Sequence, residues 1–319
     1  MTVARTVRPT DLVALVSFDG RVYPNEAKTR DRLGRDESAP HPLESAIEQW
    51  FSFATGRHTW ISVRGATLRG LVSARARGAS AAWELDTLIN AAEDDEGVCL
   101  SLLDRAVEDA GREGAEKVFL RVLSDSAVLG IARRAGFACV TTERLYTHQG
   151  PVLMEKGPSP PPLRRRSRAD AYPLFQLYNA AVPEGVRHAE AATFAEWLAA
   201  QERHWLAHGA TQLVMEEDGL LRAWVRAAAE GDIGRFDVLV HPRAEGHIDG
   251  LVQAGLSRLS GQGALLALVP DYQEPVARHL VRLGFQAGPE YALLARRTMV
   301  PVRAPRLSPA GLKPPLALI

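Results

Sequence analysis

The spacing of apolar residues changes from that of a strand to that of a helix between residues 236 and 259. Residues 236–240 form a short apolar run with β-branched members, which predicts a strand. Proline has no N–H to donate to a ladder, so the pair His241-Pro242 ends the strand. Apolar residues then recur three and four positions apart, which predicts a helix from near Gly246. They are Ile248, Leu251, Val252, Gly255, Leu256 and Leu259.

The start of this helix is a candidate anion site. The first backbone N–H groups of a helix have no partner within it, and the helix dipole favours negative charge there. A phosphate or pyrophosphate is the ordinary ligand of such a strand–turn–helix arrangement. A plain turn that binds nothing has the same residue pattern, so the interpretation depends on the rest of the chain.

The predicted order of elements occurs twice along the chain. Three pairs of landmarks lie at nearly constant offsets: residues 85–89 and 236–240, Gly97 and Gly246, and Gly136 and Gly284. The two glycine offsets are 149 and 148 residues. Such constancy predicts two similar domains rather than an array of short repeats.

Proline and arginine mark the predicted domain boundaries. Residues 157–166 hold a run of prolines followed by three arginines, which predicts a stiff linker with little secondary structure. We therefore expect an N-terminal domain over residues 1–156 and a C-terminal domain over residues 167–302. Residues 303–319 are rich in proline and lack periodicity, so we interpret them as a tail.

Charge and cysteine content exclude several classes of function. The 38 basic residues balance the 38 acidic residues, so no broad field attracts nucleic acid or an anionic membrane. Cys99 and Cys139 are the only cysteines, and no metal-ligand spacing surrounds them. The chain starts without an apolar leader, and no run is long enough to span a membrane. We expect a cytoplasmic protein without a bound metal.

The order strand, basic-glycine turn, helix, strand, helix, Gly-Phe resembles the GNAT acyltransferase superfamily over about residues 5–300. In that family the turn reads R/Q-x-x-G-x-G/A and cradles the pyrophosphate of acyl-coenzyme A. Here it reads Arg243-x-x-Gly246-x-Ile248, and Ile248 departs from the pattern with a side chain expected to crowd the phosphates. The resemblance implies an α/β fold of two tandem GNAT-like domains, each with a mixed, mostly antiparallel sheet flanked by helices.

The resemblance also implies acetyl-CoA as the acyl donor. The residues implied to bind it are Leu239, Val240, Arg243, Gly246, His247 and Ile248. In the first half Asp94 replaces the basic residue of the turn, within the acidic run of residues 94–96. Carboxylates there would repel a pyrophosphate, so we expect the first half to have lost coenzyme binding and to brace the second. Tandem GNAT proteins often keep one working half.

Acyl transfer from a thioester to an amine needs a polarised carbonyl, a deprotonated amine and a stabilised thiolate. In the family a backbone N–H on the fourth strand, splayed open by a bulge, binds the carbonyl. That region is Leu239 and Val240 in the second half, and Leu88 and Ile89 in the first. The family's thiolate-protonating tyrosine lies four residues before Gly-Phe, where this chain has Leu280 and Ala132.

Few residues could take the place of the family's missing catalytic groups. Asp237 on the predicted strand is a candidate base, although a solvated or capping carboxylate fits the same position. Tyr272 follows the next strand and is a candidate acid, although a loop tyrosine is often only packed. His241 and His279 titrate near neutral pH, and we expect both at the surface.

The leading hypothesis is an N-acyltransferase that uses the C-terminal half to transfer an acyl group to a small-molecule or peptide amine. The alternative is a non-catalytic GNAT-like protein that binds a ligand, coenzyme A or a protein partner. The arginine-glycine turn favours the first, whereas Ile248 and the lost tyrosine favour the second. We expect a monomer or a homodimer that binds neither nucleic acid nor membrane.

Overall fold

The computed structural model describes residues 3–7, 11, 23–34, 57–65, 67–77, 81–91, 95–150, 161–202, 206 and 209–299. Asp94, residues 157–160 of the linker and the tail lie outside the described residues. The described strands are β1 (Val3–Thr6), β2 (Arg57–Arg64), β3 (Thr67–Ala76), β4 (Ala82–Asn90), β5 (Lys117–Leu123), β6 (Ala138–Gln149), β7 (Leu163–Arg165), β8 (Thr211–Glu217), β9 (Leu220–Glu230), β10 (Ile233–Val240), β11 (Ala264–Pro270) and β12 (Gln286–Arg297). The described α-helices are α1 (Glu96–Arg112), α2 (Ala127–Arg134), α3 (Ala171–Ala181), α4 (Glu184–Glu190), α5 (Phe194–Glu202), α6 (Ile248–Leu256) and α7 (Glu274–Arg282).

These strands form one sheet of 12 strands in the order β1-β2-β3-β4-β5-β12-β6-β11-β10-β9-β8-β7. The pairs β4–β5 and β10–β11 are parallel. The other pairs are antiparallel. The predicted fold class, a mixed and mostly antiparallel sheet flanked by helices, is therefore confirmed.

Each half contributes its last strand to the sheet of the other half. β12 pairs with β5 of the first half, and β6 pairs with β11 of the second. The two exchanged strands also pair with each other. The sheet is therefore continuous across both halves, and the section of each half around its fifth strand depends on the other half.

One part of the predicted linker has regular structure. Leu163–Arg165 form β7, which pairs with β8 at the edge of the sheet. Leu163 packs against the hydrophobic core of the second half, and this contact fixes the segment. The expectation of little secondary structure is therefore wrong for these three residues.

Helices cover both faces of the sheet. On the first face, hydrophobic clusters join α1 and α2 to the first-half strands, and α6 and α7 to the second-half strands. On the second face, α3, α4 and α5 pack on β8 and β9 through a cluster that includes Trp197 and Trp224. Residues 23–34 also reach this face, where Leu33 packs against Leu145 and Leu266.

The strand–turn–helix segment that the apolar pattern predicts is present. β10 ends at Val240, immediately before His241 and Pro242. The α-helix begins at Ile248 rather than near Gly246, because residues 242–247 form a 3-10 helix first. The apolar positions of α6 face the core, as their spacing predicts: Ile248, Leu251, Val252, Gly255 and Leu256 are buried.

Candidate functional site

The two parallel strand pairs separate before they end. β10 pairs with β11 only from Ile233↔Ala264 to Phe236↔Ala267. Beyond this point β10 stays with β9 as far as Val240, whereas β11 stays with β6 as far as Pro270. We call the gap between residues 237–240 and 268–270 the second-half opening. β4 and β5 separate in the same way after Glu84↔Phe119, which leaves the first-half opening between residues 85–90 and 120–123.

The backbone of β10 presents N–H groups to the second-half opening. His241 donates its N–H to the carbonyl of Arg222 at 2.8 Å, which continues the ladder with β9. Because antiparallel partners bond at alternate residues, the N–H of Leu239 also faces β9, whereas those of Val238 and Val240 face the opening. Among the described residues, no group outside the strand ladders accepts a hydrogen bond from Val238 or Val240. Of the two residues that the resemblance implies for the carbonyl, only Val240 presents its N–H to the opening.

The bulge that the family resemblance implies lies in the first half only. The register of β3 and β4 shifts between Ser73 and Ala74, and the extra residue on β4 is Asp86. β9 and β10, which are described throughout, pair without any shift. The second-half opening therefore results from the departure of β11 toward β6 and not from a bend in β10.

The turn after β10 is exposed on its outer side. Arg243, Gly246 and His247 are exposed, and a Cβ added to Gly246 would meet no atom within 4 Å. Ile248 is only 5% exposed and packs in the core under α6, so it does not crowd the outer side of the turn. The expected clash between Ile248 and a bound phosphate is therefore wrong, because the side chain faces away from the turn.

The side chain of His241 caps the 3-10 helix that follows β10. Its Nδ1 accepts the backbone N–H of Arg243 at 3.0 Å, which requires an unprotonated Nδ1. Burial lowers the pKa of His241, and the positive charges of Arg222 and Arg243 lower it further. His241 is therefore a neutral structural element of the turn at neutral pH.

Asp237 lies beside the second-half opening but is held in an ion pair. Both of its carboxylate oxygens accept hydrogen bonds from Arg226, the residue opposite on β9, at 2.8 and 2.6 Å. Arg226 also donates to Gln201 at 2.8 Å and stacks over the ring of Trp224 at 4.1 Å. Protonation of Asp237 would break this ion pair. The arrangement therefore favours a role for Asp237 in positioning Arg226 and disfavours a role as a proton acceptor.

Tyr272 lies in a 3-10 turn at the end of β11, next to the second-half opening. Its ring packs against the same hydrophobic cluster as the side chain of Leu239. Burial raises the pKa of Tyr272 well above its ordinary value, and the negative charges of Glu190 and Glu143 raise it further. Its hydroxyl therefore keeps its proton and can donate a hydrogen bond.

Helix α7 supplies no other acid to the opening. Leu280, at the position of the family's tyrosine, is fully buried in the core. His279 is not at the surface as expected but only 5% exposed, because it packs toward α6 with Nδ1 at 2.7 Å from Asp249. Burial lowers the pKa of His279, Asp249 opposes that effect, and Arg282 adds to it.

The first-half opening is filled by the protein's own chain. The N–H of Leu88 on β4 donates to the side-chain oxygen of Asn25 at 2.9 Å. Glu26 donates its N–H to the carbonyl of Leu88 at 2.9 Å, and Lys28 donates to the carbonyl of Arg121 on β5 at 2.8 Å. Ala27, between them, is buried in the core of the first face. This segment therefore bridges β4 and β5 and uses the N–H that a thioester carbonyl would need.

The anion position of the first half is also occupied. The side chain of Asp95 accepts the N–H of Gly97 at 3.1 Å at the start of α1. Arg69 lies 3.6 Å from the other oxygen of Asp95. A carboxylate of the protein thus accepts an N–H at the start of this helix. The loss of coenzyme binding in the first half stays a prediction.

Sequence reasoning missed a polar network at the centre of the second face. Arg121, which is 1% exposed, donates through Nε to Glu143 at 2.8 Å, and Arg30 pairs with the other oxygen of Glu143. The visible signal was Arg121 itself, because a charged residue interrupts the otherwise apolar run of residues 118–123. The partners could not be found from the sequence, since they lie on distant elements.

No protein-family model matches the sequence, and the search of curated proteins found no match. Among solved structures, the chain is similar to a GCN5-related N-acetyltransferase from Sphaerobacter thermophilus, with a TM-score of 0.55 and 16% identity over 94% of this chain and 96% of that one. It is also similar to a tandem GNAT protein from the clavulanic acid biosynthesis pathway, with a TM-score of 0.52 and 12% identity over 93% of this chain and 98% of that one. The chain therefore has the tandem GNAT fold. No helix in the described parts of the chain is long and apolar enough to cross a membrane.

Proposed function

We propose that the protein is an acyl-CoA-dependent N-acyltransferase whose active site is the second-half opening. Acetyl-CoA is the proposed donor, and a small-molecule or peptide amine is the acceptor. The proposal rests on the contrast between the two openings: in the described chain the N–H groups of Val238 and Val240 face a gap without partners, whereas the N–H of Leu88 is bound to Asn25. The similar solved structure named as an N-acetyltransferase supports this class of reaction.

The residues of the second half fit the donor that this reaction requires. Acetyl-CoA would supply an acyl group activated as a thioester. Arg243 is exposed and has no ion-pair partner among the described residues, so it can pair with a pyrophosphate beside the open surface at Gly246. The dipole of α6 favours negative charge at the same site. The backbone N–H of Ile248 donates to the carbonyl of Glu245, so Arg243 carries the proposed contact with the pyrophosphate.

The chemistry proposed for this chain relies on positioning. The N–H of Val240 points into the opening and can polarise an acyl carbonyl as charge develops on its oxygen. The hydroxyl of Tyr272 keeps its proton and can stabilise a leaving thiolate by hydrogen bonding. The transfer forms a C–N bond and breaks a C–S bond. The amine loses one proton and the leaving thiolate gains one, so the reaction balances.

Two observations favour the alternative, a non-catalytic protein that binds coenzyme A or another ligand. Leu280 stands where the family has its tyrosine, and it is fully buried in the core. The pairing of β10 with β9 is regular, so the strand lacks the bulge by which the family exposes its carbonyl-binding N–H. Under this alternative the site would bind the donor without transferring its acyl group.

Calorimetric titration of the full chain with acetyl-CoA tests the proposal. We expect binding that Arg243→Glu weakens by at least about tenfold, since one charge-assisted contact is worth on the order of 1.5 kcal/mol. Arg258→Glu is the matched control, because Arg258 is also exposed and lies beyond α6. Absence of binding would exclude both the transferase and coenzyme binding. If Asp94→Arg changes the affinity for acetyl-CoA and Arg243→Glu does not, the site belongs to the first half.

Release of free thiol in the presence of amine acceptors separates the enzyme from the alternative. The proposed transferase releases thiol at a rate that rises with the concentration of an accepted amine. Tyr272→Phe is expected to lower the maximal rate with little change in acetyl-CoA affinity, because the hydroxyl acts on the leaving group. Binding of acetyl-CoA without thiol release for any amine would favour the non-catalytic alternative.

A further inference from the structure

A chain of ion pairs joins the two halves on the second face of the sheet. Glu143 on β6 binds Arg121 of β5 on one oxygen and Arg30 on the other. Arg30 also lies 4.0 Å from Glu190 of α4, which accepts a hydrogen bond from Arg77 at 3.3 Å. We call these five side chains the arginine seam. It connects four segments of the first half with one helix of the second.

The arginine seam holds more buried donors than the described chain satisfies. Nη1 and Nη2 of Arg121, Nη1 of Arg77 and Nε of Arg30 are buried and have no hydrogen-bond partner among the described residues. The hydroxyl of Tyr178, on α3, is buried and without a partner in the same sense. Buried donors without acceptors are unfavourable, so a group with acceptor atoms is expected to bind here.

The unpartnered guanidinium nitrogens of the seam best fit a planar acceptor group with two oxygens. Both oxygens of Glu143 already accept hydrogen bonds from arginines, and Glu190 pairs with Arg77 and Arg30 instead of Arg121. A guanidinium binds a carboxylate with two parallel hydrogen bonds. Nη1 and Nη2 of Arg121 could form them, since neither has a hydrogen-bond partner among the described residues and Glu84 lies 3.6 Å from Nη1. A single water molecule provides acceptor atoms but not this paired geometry.

The charges around the arginine seam favour a ligand that is neutral as a whole. Arg75 and Glu84 extend the network, since Arg75 lies 3.4 Å from Glu84 and Arg121 lies 3.6 Å from it. Asp31 completes the network at 2.8 Å from Arg75. Four arginines therefore face four carboxylates: Arg30, Arg75, Arg77 and Arg121, and Asp31, Glu84, Glu143 and Glu190. A zwitterion adds a carboxylate without adding net charge.

The arginine seam reaches the surface at one end and adjoins the proposed active site. The side chains of Arg30, Arg77 and Glu190 are 23%, 15% and 15% exposed, whereas that of Arg121 is 1% exposed, so Arg121 is the enclosed end of the seam. Tyr272, at the second-half opening, interacts electrostatically with Glu190, Glu143 and Arg30. A ligand held by the seam would therefore lie close to the opening.

We propose that the arginine seam binds the carboxylate of a free amino acid and that this amino acid is the acyl acceptor. The assignment of the acceptor role rests on the proposed transferase function. Under it, the carboxylate lies against Arg121 and Arg77, and the amine points toward the second-half opening. The acceptor is then recognised by residues of both halves, which explains why a half without a coenzyme site is retained.

The test is calorimetric titration of the full chain, without acyl-CoA, with each proteinogenic L-amino acid. The amino acid that binds best is then compared with its own α-amide, which keeps the amine and removes the carboxylate. We expect the amide to bind at least about tenfold more weakly, as for the loss of a charge-assisted contact. Equal affinity of the two, or no binding of any amino acid, would overturn the proposal.

Variants of the protein locate the site. Arg77→Gln is expected to weaken binding of the amino acid by about tenfold, whereas the control Arg258→Gln, an exposed arginine beyond α6, leaves it unchanged. An equal effect of both variants would contradict the assignment. The comparison of amino acid and amide uses the unaltered protein, so it holds even if a variant fails to fold. Acetyl-CoA titration of the same sample is independent: its failure removes the transferase, whereas failure of the amino-acid titration removes only the seam proposal.

Discussion

The backbone N–H of Leu88 and the side-chain oxygen of Asn25 are joined by a hydrogen bond of 2.9 Å inside the first-half opening. Asn25 also accepts the N–H of Ala27 at 3.1 Å and donates to the carbonyl of Asp86 at 3.1 Å. One side chain thus organises a segment that lies 63 positions from Leu88 in the sequence. The first half is closed by its own residues in the place where the second half is open.

We predict that Asn25→Ala destabilises the protein without creating a second coenzyme site. Three hydrogen bonds are lost, and Leu88 is left with an unpaired N–H, which together lower the free energy of unfolding by roughly 2 kcal/mol. Glu26 and Lys28 still bridge β4 and β5 through their backbones, so the opening stays filled. Urea unfolding and acetyl-CoA calorimetry measure the two effects. Gln286→Ala, at an exposed position, is the control.

A gain of a second acetyl-CoA site in Asn25→Ala would show that Asn25 alone closes the first half. An unchanged unfolding free energy would show that the hydrogen bond between Asn25 and Leu88 contributes nothing to stability.

We predict that His241 makes the protein less stable as the pH falls below neutrality. The folded state holds the pKa of His241 below its ordinary value of 6.5, so the unfolded state binds the proton first. Its contribution is therefore complete above about pH 6.5 and is lost as the pH falls toward the lower folded pKa. Thermal unfolding at about pH 7.5 and about pH 5.5 measures the effect.

His241→Asn isolates this contribution, because asparagine also caps a helix but does not titrate near neutral pH. The loss of stability on acidification should be smaller in this variant than in the unaltered protein. His188→Asn, at an exposed position on α4, is the control and should keep the full loss. Identical pH dependence of all three proteins would exclude His241 as the source.

Local patterns were enough to predict β10, the core-facing residues of α6 and the duplicated order of elements. The period of apolar residues fixes which side of a helix or strand faces the core, and this is visible in a window of about ten residues. The apolar spacing also placed Ile248 correctly at the first core position of α6, whereas the comparison with the family's turn motif wrongly expected its side chain beside the phosphates.

The exchange of β6 and β12 and the filling of the first-half opening could not be predicted in the same way. Tyr291 lies opposite Leu123 and Glu143, and Asn25 binds Leu88, so the partners are separated by tens of residues or more. Such pairings depend on which strand edge is free in three dimensions. No period in the sequence encodes that choice.

We predict that Asp237 is needed for stability because of its ion pair with Arg226. Both side chains are mostly buried, with 19% and 11% exposure, so Asp237→Ala removes the carboxylate that accepts two hydrogen bonds from a mostly buried guanidinium. The expected loss is roughly 2 kcal/mol of unfolding free energy, as for the loss of hydrogen bonds to a charged group. The double variant Arg226→Leu, Asp237→Leu should recover most of it, since replacing both members of a buried pair by apolar residues is often neutral.

Thiol release by the double variant then distinguishes the two roles considered for Asp237. If Asp237 only positions Arg226, the stable double variant keeps most of the acetyl-transfer rate. If Asp237 accepts the proton of the amine, the double variant is stable but slow. Glu217→Ala, an exposed carboxylate at the end of β8, is the control for both measurements.

We predict that Glu143 stabilises the protein at neutral pH and that this contribution is lost in acid. Burial alone would raise the pKa of Glu143, but the charges of Arg121 and Arg30 outweigh it and lower the pKa from 4.5 to about 2. Because the folded pKa is the lower one, the contribution is complete above about pH 4.5 and disappears between about pH 4.5 and pH 2. The size of the shift corresponds to about 3 kcal/mol.

Glu143→Gln removes the charge at nearly constant volume and leaves Arg121 and Arg30 without their shared carboxylate. The variant should unfold at a lower urea concentration than the unaltered protein at about pH 7. This difference in urea midpoint should narrow toward about pH 3, where Glu143 is largely protonated in the unfolded state of the unaltered protein. Glu217→Gln, at an exposed position, should unfold at the same urea concentration as the unaltered protein at both pH values. A difference that stays constant with pH would mean that Glu143 acts through packing and not through charge. The two halves would then be held together at the arginine seam by shape, and the seam would have no electrostatic reason to prefer a carboxylate.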